Sequence, residues 1–180
     1  SNWSLSSQWK YQAEKLAEAY KNINFHHIYA SDLWRVKETI QPLITKYGYA
    51  NITYDKRLRE RDHGKLTRTK KDKMNKKKSY YINMMRQEDP TVEWINSMNN
   101  RMEEIFYQIL QNHIISDCNI LVVSHNVFVY FAIKYLYFIY YWANITPWSI
   151  YNASIYAYWL TQQEMTIIAE NDISHYNKNV

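Results

Sequence analysis

Apolar stretches of strand length alternate along this chain with stretches of helical periodicity, and this alternation restricts the fold more than any other feature. Phe25 to Ala30 and Asn119 to Ser124 are short apolar runs typical of buried strands. Amphipathic helices are predicted over residues 8–21 and 33–46, with Gly48 just past the end of the second. Strands that alternate with helices form a mainly parallel sheet covered on both faces. The sequence therefore predicts a three-layer α/β fold.

Three further elements are predicted in the second half of the chain. Asp89 and Pro90 are typical of a helix N-cap followed by proline in the first turn. The helix that they open carries apolar side chains at helical spacing from Ile95 to Ile109. Residues 149–160 and 164–169 are apolar stretches joined by a short polar link, which predicts two strands.

Length and composition predict a single domain over residues 1–180. The chain has 180 residues, of which 47% are apolar, and it has one cysteine, Cys118, which excludes a disulfide framework. The net charge of +5 is concentrated, because eight basic residues and one acid lie between Lys65 and Lys78. A run of like charge is typical of a solvated loop, and we interpret residues 65–78 as a basic loop insertion. Attraction of a polyanion is the alternative interpretation.

Polar side chains follow two of the predicted strands at the points where a parallel sheet binds ligands. Arg35 lies in the first turn after the strand at 25–30, and His125 directly follows the strand at 119–124. Ligands bind outside the carboxyl ends of such strands. A guanidinium donates in a fork that matches phosphate oxygens, and an imidazole N–H can stabilise charge on a transferring phosphoryl group. Both residues are therefore candidates for a phosphate site.

Five segments carry these and other polar residues in a fixed order. They are Leu5–Ala13, Ser31–Thr39, Arg57–Gly64, Val122–His125 and Asn152–Ile155. In this order and at about this spacing they resemble motifs of the histidine phosphatase superfamily, whose members share a phosphoglycerate-mutase-like fold. The resemblance runs from about Asn2 to about Ile168. Trp9 and Asn126 depart from it, since the family has glycine at both positions.

The resemblance implies roles for four residues. Arg35 and Asn152 would bind phosphate, His125 would bind phosphate and assist its transfer, and Glu60 would be the acid that protonates the leaving oxygen. The three arginines that flank Glu60 in the sequence favour its ionised form, unless they point away. A surface ion pair is the alternative for Arg35 and Glu60, and a hydrogen-bonded core residue is the alternative for His125. We expect no metal ion and no cofactor.

The nucleophile of the family has no counterpart in this sequence. In the family, an opening strand in the middle of the sheet runs into Arg-His-Gly, whose His attacks phosphorus. No Arg-His-Gly occurs in the 180 residues, which start at Ser1, after the position of that strand. None of the five other histidines is predicted to replace it. We therefore expect the first central strand to be missing from this chain. Its neighbours then need partners for their backbone groups, from residues outside this sequence, from a partner chain, or from a rebuilt sheet.

Residues 127–142 are apolar around almost the whole circumference of a helix. A helix of this kind is buried on all sides, and 16 residues with Lys134 near the middle are short for a membrane span of about 20 apolar residues. We predict that another protein subunit covers residues 128–142, with Phe138, Tyr141 and Trp142 as its anchors. Contact with membrane lipid is the alternative.

Two functions of different class are compatible with these features. The first is a degenerate, non-catalytic histidine-phosphatase-like domain that acts as an interaction or structural subunit and retains a phosphate-binding pocket. The second is an active phosphomonoesterase or phosphoglycerate-mutase-type enzyme whose nucleophile segment lies outside this chain. Nucleic acid binding ranks third, because no aromatic platform accompanies the basic run. Ile, Tyr, Asn and Lys make up 70 of the 180 residues, which is typical of A/T-rich organelle genes, so we expect an intracellular, mitochondrial protein.

Overall fold

The computed structural model describes residues 6–64, 90–146, 150–151 and 153–176. Helices and strands alternate through these residues. In chain order the elements are α1 (Ser7–Ala19), β1 (Phe25–Ser31), α2 (Trp34–Tyr47), β2 (Ile52–Asp55), a 3-10 turn (Lys56–Leu58), α3 (Ile95–His113), β3 (Asn119–Val123), α4 (Asn126–Tyr141), β4 (Ile155–Leu160) and β5 (Met165–Asp172).

Strand β1 is the centre of a three-stranded parallel sheet with the order β2-β1-β3. Ala30 of β1 is opposite Tyr54 of β2 on one side and opposite Val123 of β3 on the other. All three strands therefore end at the same edge of the sheet, which is where the segments carrying Arg35 and His125 begin. The predicted α/β fold with a parallel sheet is confirmed.

Two apolar clusters cover the two faces of this sheet. Successive side chains of a strand point to opposite faces, and β1 follows this rule at Tyr29 and Ala30. Tyr29 packs in a cluster with side chains of α3 and α4, which includes Ile105 and Phe128. Ala30 packs on the other side against α2, in a cluster that includes Val36 and Ile40. The sheet thus lies between two helical layers, as the alternation in the sequence predicts.

Strands β4 and β5 form a separate antiparallel hairpin. The hairpin is attached to α4, since the hydroxyl of Tyr140 donates to the carbonyl of Thr161 at 2.9 Å and Tyr137 donates to the carboxylate of Glu170 at 3.0 Å. Among the described residues, β3 pairs only with β1, so its other edge faces the hairpin without a strand between them.

Several predicted boundaries differ from the structure. Pro90 lies in a turn, and α3 begins only at Ile95, because residues 90–94 instead run beside the Arg61–Asp62 segment, with the amide of Glu93 donating to the carbonyl of Asp62 at 2.8 Å. The first strand of the hairpin begins at Ile155 rather than at residue 149, and the second extends to Asp172 rather than 169. Asp89 lies outside the described residues.

Helix α4 is only partly buried by the described residues of its own chain. Phe128, Ala132, Ile133 and Leu136 are buried, whereas Phe138, Tyr141 and Trp142 at its end are exposed, the last by 82%. One face of the helix thus packs in the core of this chain, and a partner that covers residues 128–142 stays a prediction. No helix in the described part of the chain has the length and apolar content needed to cross a membrane.

Candidate active site

Arg35 and His125 meet at the carboxyl edge of the sheet. Arg35 lies in the first turn of α2, and its Nε donates a hydrogen bond to Nδ1 of His125 at 3.1 Å. The other ring nitrogen, Nε2, lies 2.8 Å from Oγ of the buried Ser31 at the end of β1. His125 lies between β3 and α4, directly before the helix, so the cluster joins the ends of two adjacent strands.

These contacts determine the protonation of His125. An arginine N–H can only donate, so Nδ1 of His125 must accept, and the single proton of a neutral ring then lies on Nε2 and is donated to Ser31. The pKa of His125 falls from 6.5 to about 3, mainly because the ring is buried. The positive charges of Arg35 and Arg101 add to this effect. His125 is therefore neutral at physiological pH, with both ring nitrogens occupied.

Glu60 reaches the same region from the segment after the 3-10 turn. Its Oε2 accepts a hydrogen bond from the backbone N–H of Val127 at 3.3 Å, and its Oε1 accepts from the N–H of Arg61 at 2.9 Å. Val127 is in the first turn of α4, two residues after His125, and a carboxylate is favoured at a helix N-terminus. Burial lowers the pKa of Arg35, and the negative charge of Glu60 acts in the opposite direction.

The three arginines that flank Glu60 in the sequence all have other partners. Arg57 forms an ion pair with Asp55 at 2.7 Å. Arg59 forms a two-pronged pair with Asp32, with both N···O distances 2.6 Å. The third, Arg61, is buried, and its Nε donates to the carbonyl of Glu93. Arg57 and Arg59 thus direct their guanidinium groups to other carboxylates, although both lie close to Glu60 in the sequence.

One cavity of about 340 Å³ is lined by Arg35, Glu60 and His125. It continues away from them along β3, where Leu121, Val122, Val123 and Ser124 line it, and along α1. The structure thus brings three of the four predicted site residues to a single cavity. The fourth, Asn152, lies outside the described residues, as does the predicted basic loop at 65–78.

The other histidines do not line this cavity. His26 and His27 are at the start of β1, the end opposite Arg35, and Nε2 of His27 lies 2.8 Å from Oγ1 of Thr53. His113 ends α3 and contacts the hydroxyl of Tyr29. Neither His63 nor His175 lines the cavity.

Sequence reasoning missed Arg101, which makes five hydrogen bonds around the segment that carries Glu60. The only sequence signal is a basic residue at the border of the apolar face of α3, between the buried Met98 and Met102. That pattern fits any helix with a partly covered basic residue, so it does not distinguish this role.

The family model of the histidine phosphatase superfamily (branch 1) matches residues 1–173. The chain belongs to this superfamily. The resemblance read from the motifs is confirmed. No curated protein was found to match the sequence.

Solved structures of the superfamily show the same fold at low sequence identity. YhfR of Bacillus stearothermophilus has a TM-score of 0.78 and 18% identity, with 95% of this chain and 86% of that chain covered. The alpha-ribazole phosphatase of Shigella flexneri has a TM-score of 0.72 and 17% identity, with coverage of 94% and 84%. A phosphoglycerate mutase of Bacillus anthracis has a TM-score of 0.72 and 22% identity, with 95% of this chain and 83% of that chain covered.

Proposed function

We propose that this chain is a phosphate-binding histidine-phosphatase domain that does not turn over phosphomonoesters by itself and that acts as an interaction subunit. The ligand is a phosphoryl group held by Arg35 in the cavity beside His125 and Glu60. Similar structures include an alpha-ribazole phosphatase and a phosphoglycerate mutase, which supports a phosphomonoester as the ligand class.

The observation that carries the proposal is the way Arg35 is held. Its Nε is committed to His125, and within the described part of the chain no other hydrogen bond is made by its guanidinium. The two Nη groups of this cavity-lining residue therefore remain as donors for an anion. Since a neutral ring orients the guanidinium, its full positive charge stays available for phosphate oxygens.

The lack of turnover follows from the state of His125. Nucleophilic attack on phosphorus needs an unprotonated ring nitrogen that is free to approach, but Nδ1 is occupied by Arg35 and Nε2 carries the proton. The other described histidines do not line the cavity. Binding groups and an acid alone supply no attacking group.

Phosphate binding is tested by calorimetric titration of the protein with inorganic phosphate at low ionic strength. We expect saturable binding that Arg35→Ala weakens at least about tenfold, since a charge-assisted hydrogen bond contributes about 1.5–3 kcal/mol. Arg35→Lys keeps the charge without the fork and should be intermediate. Lys37→Ala, an exposed change in the same helix, is the control and should bind as the wild type does. Equal affinity of Arg35→Ala and the wild type would contradict the proposal.

The shape of the cavity favours a second function, that of an active phosphomonoesterase completed by an additional strand. Side chains of a strand alternate between its faces, so a cavity lined by the four successive residues 121–124 follows the edge of β3. It also touches α1 from Trp9 to Tyr20, a distance of about 16 Å at 1.5 Å per residue. An extended segment of about five residues spans this length.

Such a segment would pair with the free edge of β3, opposite Ile155 and Tyr156, and end near Arg35. A nucleophilic His at that end would complete a catalytic site. The protein expressed from its full reading frame tests this function through hydrolysis of a generic phosphomonoester and trapping of phosphohistidine. Activity that His125→Ala abolishes supports the second function, whereas its absence in the full-length protein removes it.

An interaction role is supported by the exposed aromatic end of α4. Phe138, Tyr141 and Trp142 form a group of large apolar side chains that the described residues do not cover. Contiguous apolar surface of this kind marks interfaces, and aromatic residues are frequent anchors there. A partner subunit at residues 128–142 and a mitochondrial location remain predictions.

A further inference from the structure

We infer that Arg101 is a positioning residue that sets the carboxyl of Glu60 beside His125, a role that rests on the proposed phosphate site. Arg101 comes from the middle of α3, its side chain is only 17% exposed, and it does not itself line the cavity. Apart from its charge, which contributes to lowering the pKa of His125, it therefore acts on the site through the residues that it contacts.

All five N–H groups of this guanidinium are used. Nε and Nη2 hold the two carboxylate oxygens of Glu93 at 2.7 and 2.8 Å. Nη1 donates to the carbonyls of Arg57 and Arg59 at 2.6 and 2.7 Å, and Nη2 also donates to the carbonyl of Glu60 at 3.2 Å. Arginine has five such donors in a rigid plane, so its capacity is filled.

The remaining carbonyl of this segment is held from the other side. Oγ of Ser124 donates to the carbonyl of Leu58 at 2.7 Å. Four successive carbonyls, at residues 57–60, are thus bound by two side chains. Because Ser124 immediately precedes His125, these contacts place the backbone of Glu60 relative to His125.

Arg101 is also in contact with the helix that Glu60 caps. Its guanidinium lies over the ring of Phe128, 5.7 Å from the ring centre, and Phe128 is one residue after the Val127 amide that Glu60 accepts. The backbone and the carboxylate of Glu60 are therefore both held in place relative to the start of α4. Lysine has only three donors and no fork, so it cannot replace these contacts.

The test uses the Val127 amide as a direct reporter of Glu60. In two-dimensional ¹H–¹⁵N NMR spectra at pH 7, Glu60→Ala should move the Val127 cross-peak, because it removes the hydrogen-bond acceptor of that amide. Arg101→Lys is expected to move the cross-peak in the same direction, by more than half as much. Arg57→Lys, the matched change in a side chain paired with Asp55, should leave it unchanged.

A second readout is the coupling between the two residues in phosphate binding. We expect Arg101→Lys to weaken inorganic phosphate binding about threefold in the wild type and not at all in a Glu60→Gln background, because coupled residues are non-additive. A merely structural role of Arg101 would weaken binding equally in both backgrounds.

An unmoved Val127 cross-peak in Arg101→Lys would overturn the inference, as would a cross-peak that Glu60→Ala leaves in place. Should Arg101→Lys not fold, Glu93→Gln loosens the same guanidinium and must move the cross-peak in the same direction; an unmoved cross-peak there overturns it too. Absence of phosphate binding by the wild type would refute the proposed function, while the Val127 cross-peak still decides the role of Arg101.

Discussion

Arg35 donates from Nε to Nδ1 of His125 across 3.1 Å, although 90 residues separate them in sequence. This bond makes the imidazole an acceptor, and the imidazole in turn fixes the direction of the guanidinium. Under the proposed function, phosphate affinity depends on His125 as a neutral support for Arg35. A phosphate that also took the N–H of His125 would have to displace the hydroxyl of Ser31.

The folded protein should lose stability in acid through His125. Its pKa falls from 6.5 to about 3 on folding, so between these values the unfolded chain binds a proton that the folded chain does not. The free energy of unfolding due to this residue therefore decreases as pH falls below 6.5, by about 2 kcal/mol between pH 7 and pH 5. Urea unfolding at both pH values measures this, with His125→Asn as the control that lacks the titrating ring. The same loss in both proteins would show that His125 is not its source.

The 180 residues alone should show no phosphatase turnover on a generic phosphomonoester. The reason is the occupation of both nitrogens of His125, which leaves no attacking group in the cavity. The measurement is the release of p-nitrophenol from its phosphate ester, with His125→Ala as the control variant. A rate above background that this variant abolishes would contradict the prediction.

The backbone conformation of Trp142 should reduce the stability of the isolated chain. It follows α4 with φ at 55°, and its N–H donates to the carbonyl of Phe138 at 3.0 Å, a helix ending that favours glycine. We expect Trp142→Gly to raise the free energy of unfolding by about 1 kcal/mol. Trp142→Ala removes the same ring but keeps the strained residue type, so it serves as the control. Equal stability of the two variants would refute the explanation.

The aromatic end of α4 should drive association of the isolated chain. Replacing Phe138 and Tyr141 together by Ser removes two exposed rings, each about half exposed. Sedimentation velocity should show self-association of the wild type that this variant reduces, because the buried apolar area is smaller. Tyr107→Ser, an equally exposed change on α3, should behave as the wild type. A wild type that stays monomeric at high concentration would count against the interface.

Much of the fold was predictable because its signals are local. The apolar run at 25–30 and the periodicity of α2 are each contained within a single element, so each can be recognised without knowing what the element packs against. Strand β2 gave no such signal, since it is four residues long and none of them is fully buried. Its place in the sheet comes from pairing with β1, which periodicity does not encode.

The candidate site divides in the same way. That Arg35 and His125 meet could be predicted from the sequence, because each follows a parallel strand and such strands end at one edge. The proton on Nε2 of His125, the direction of Glu60 and the contacts of Arg101 could not be predicted in this way. Each of these depends on hydrogen bonds between residues from about 40 to more than 90 positions apart, whose geometry is set by the packing of whole elements.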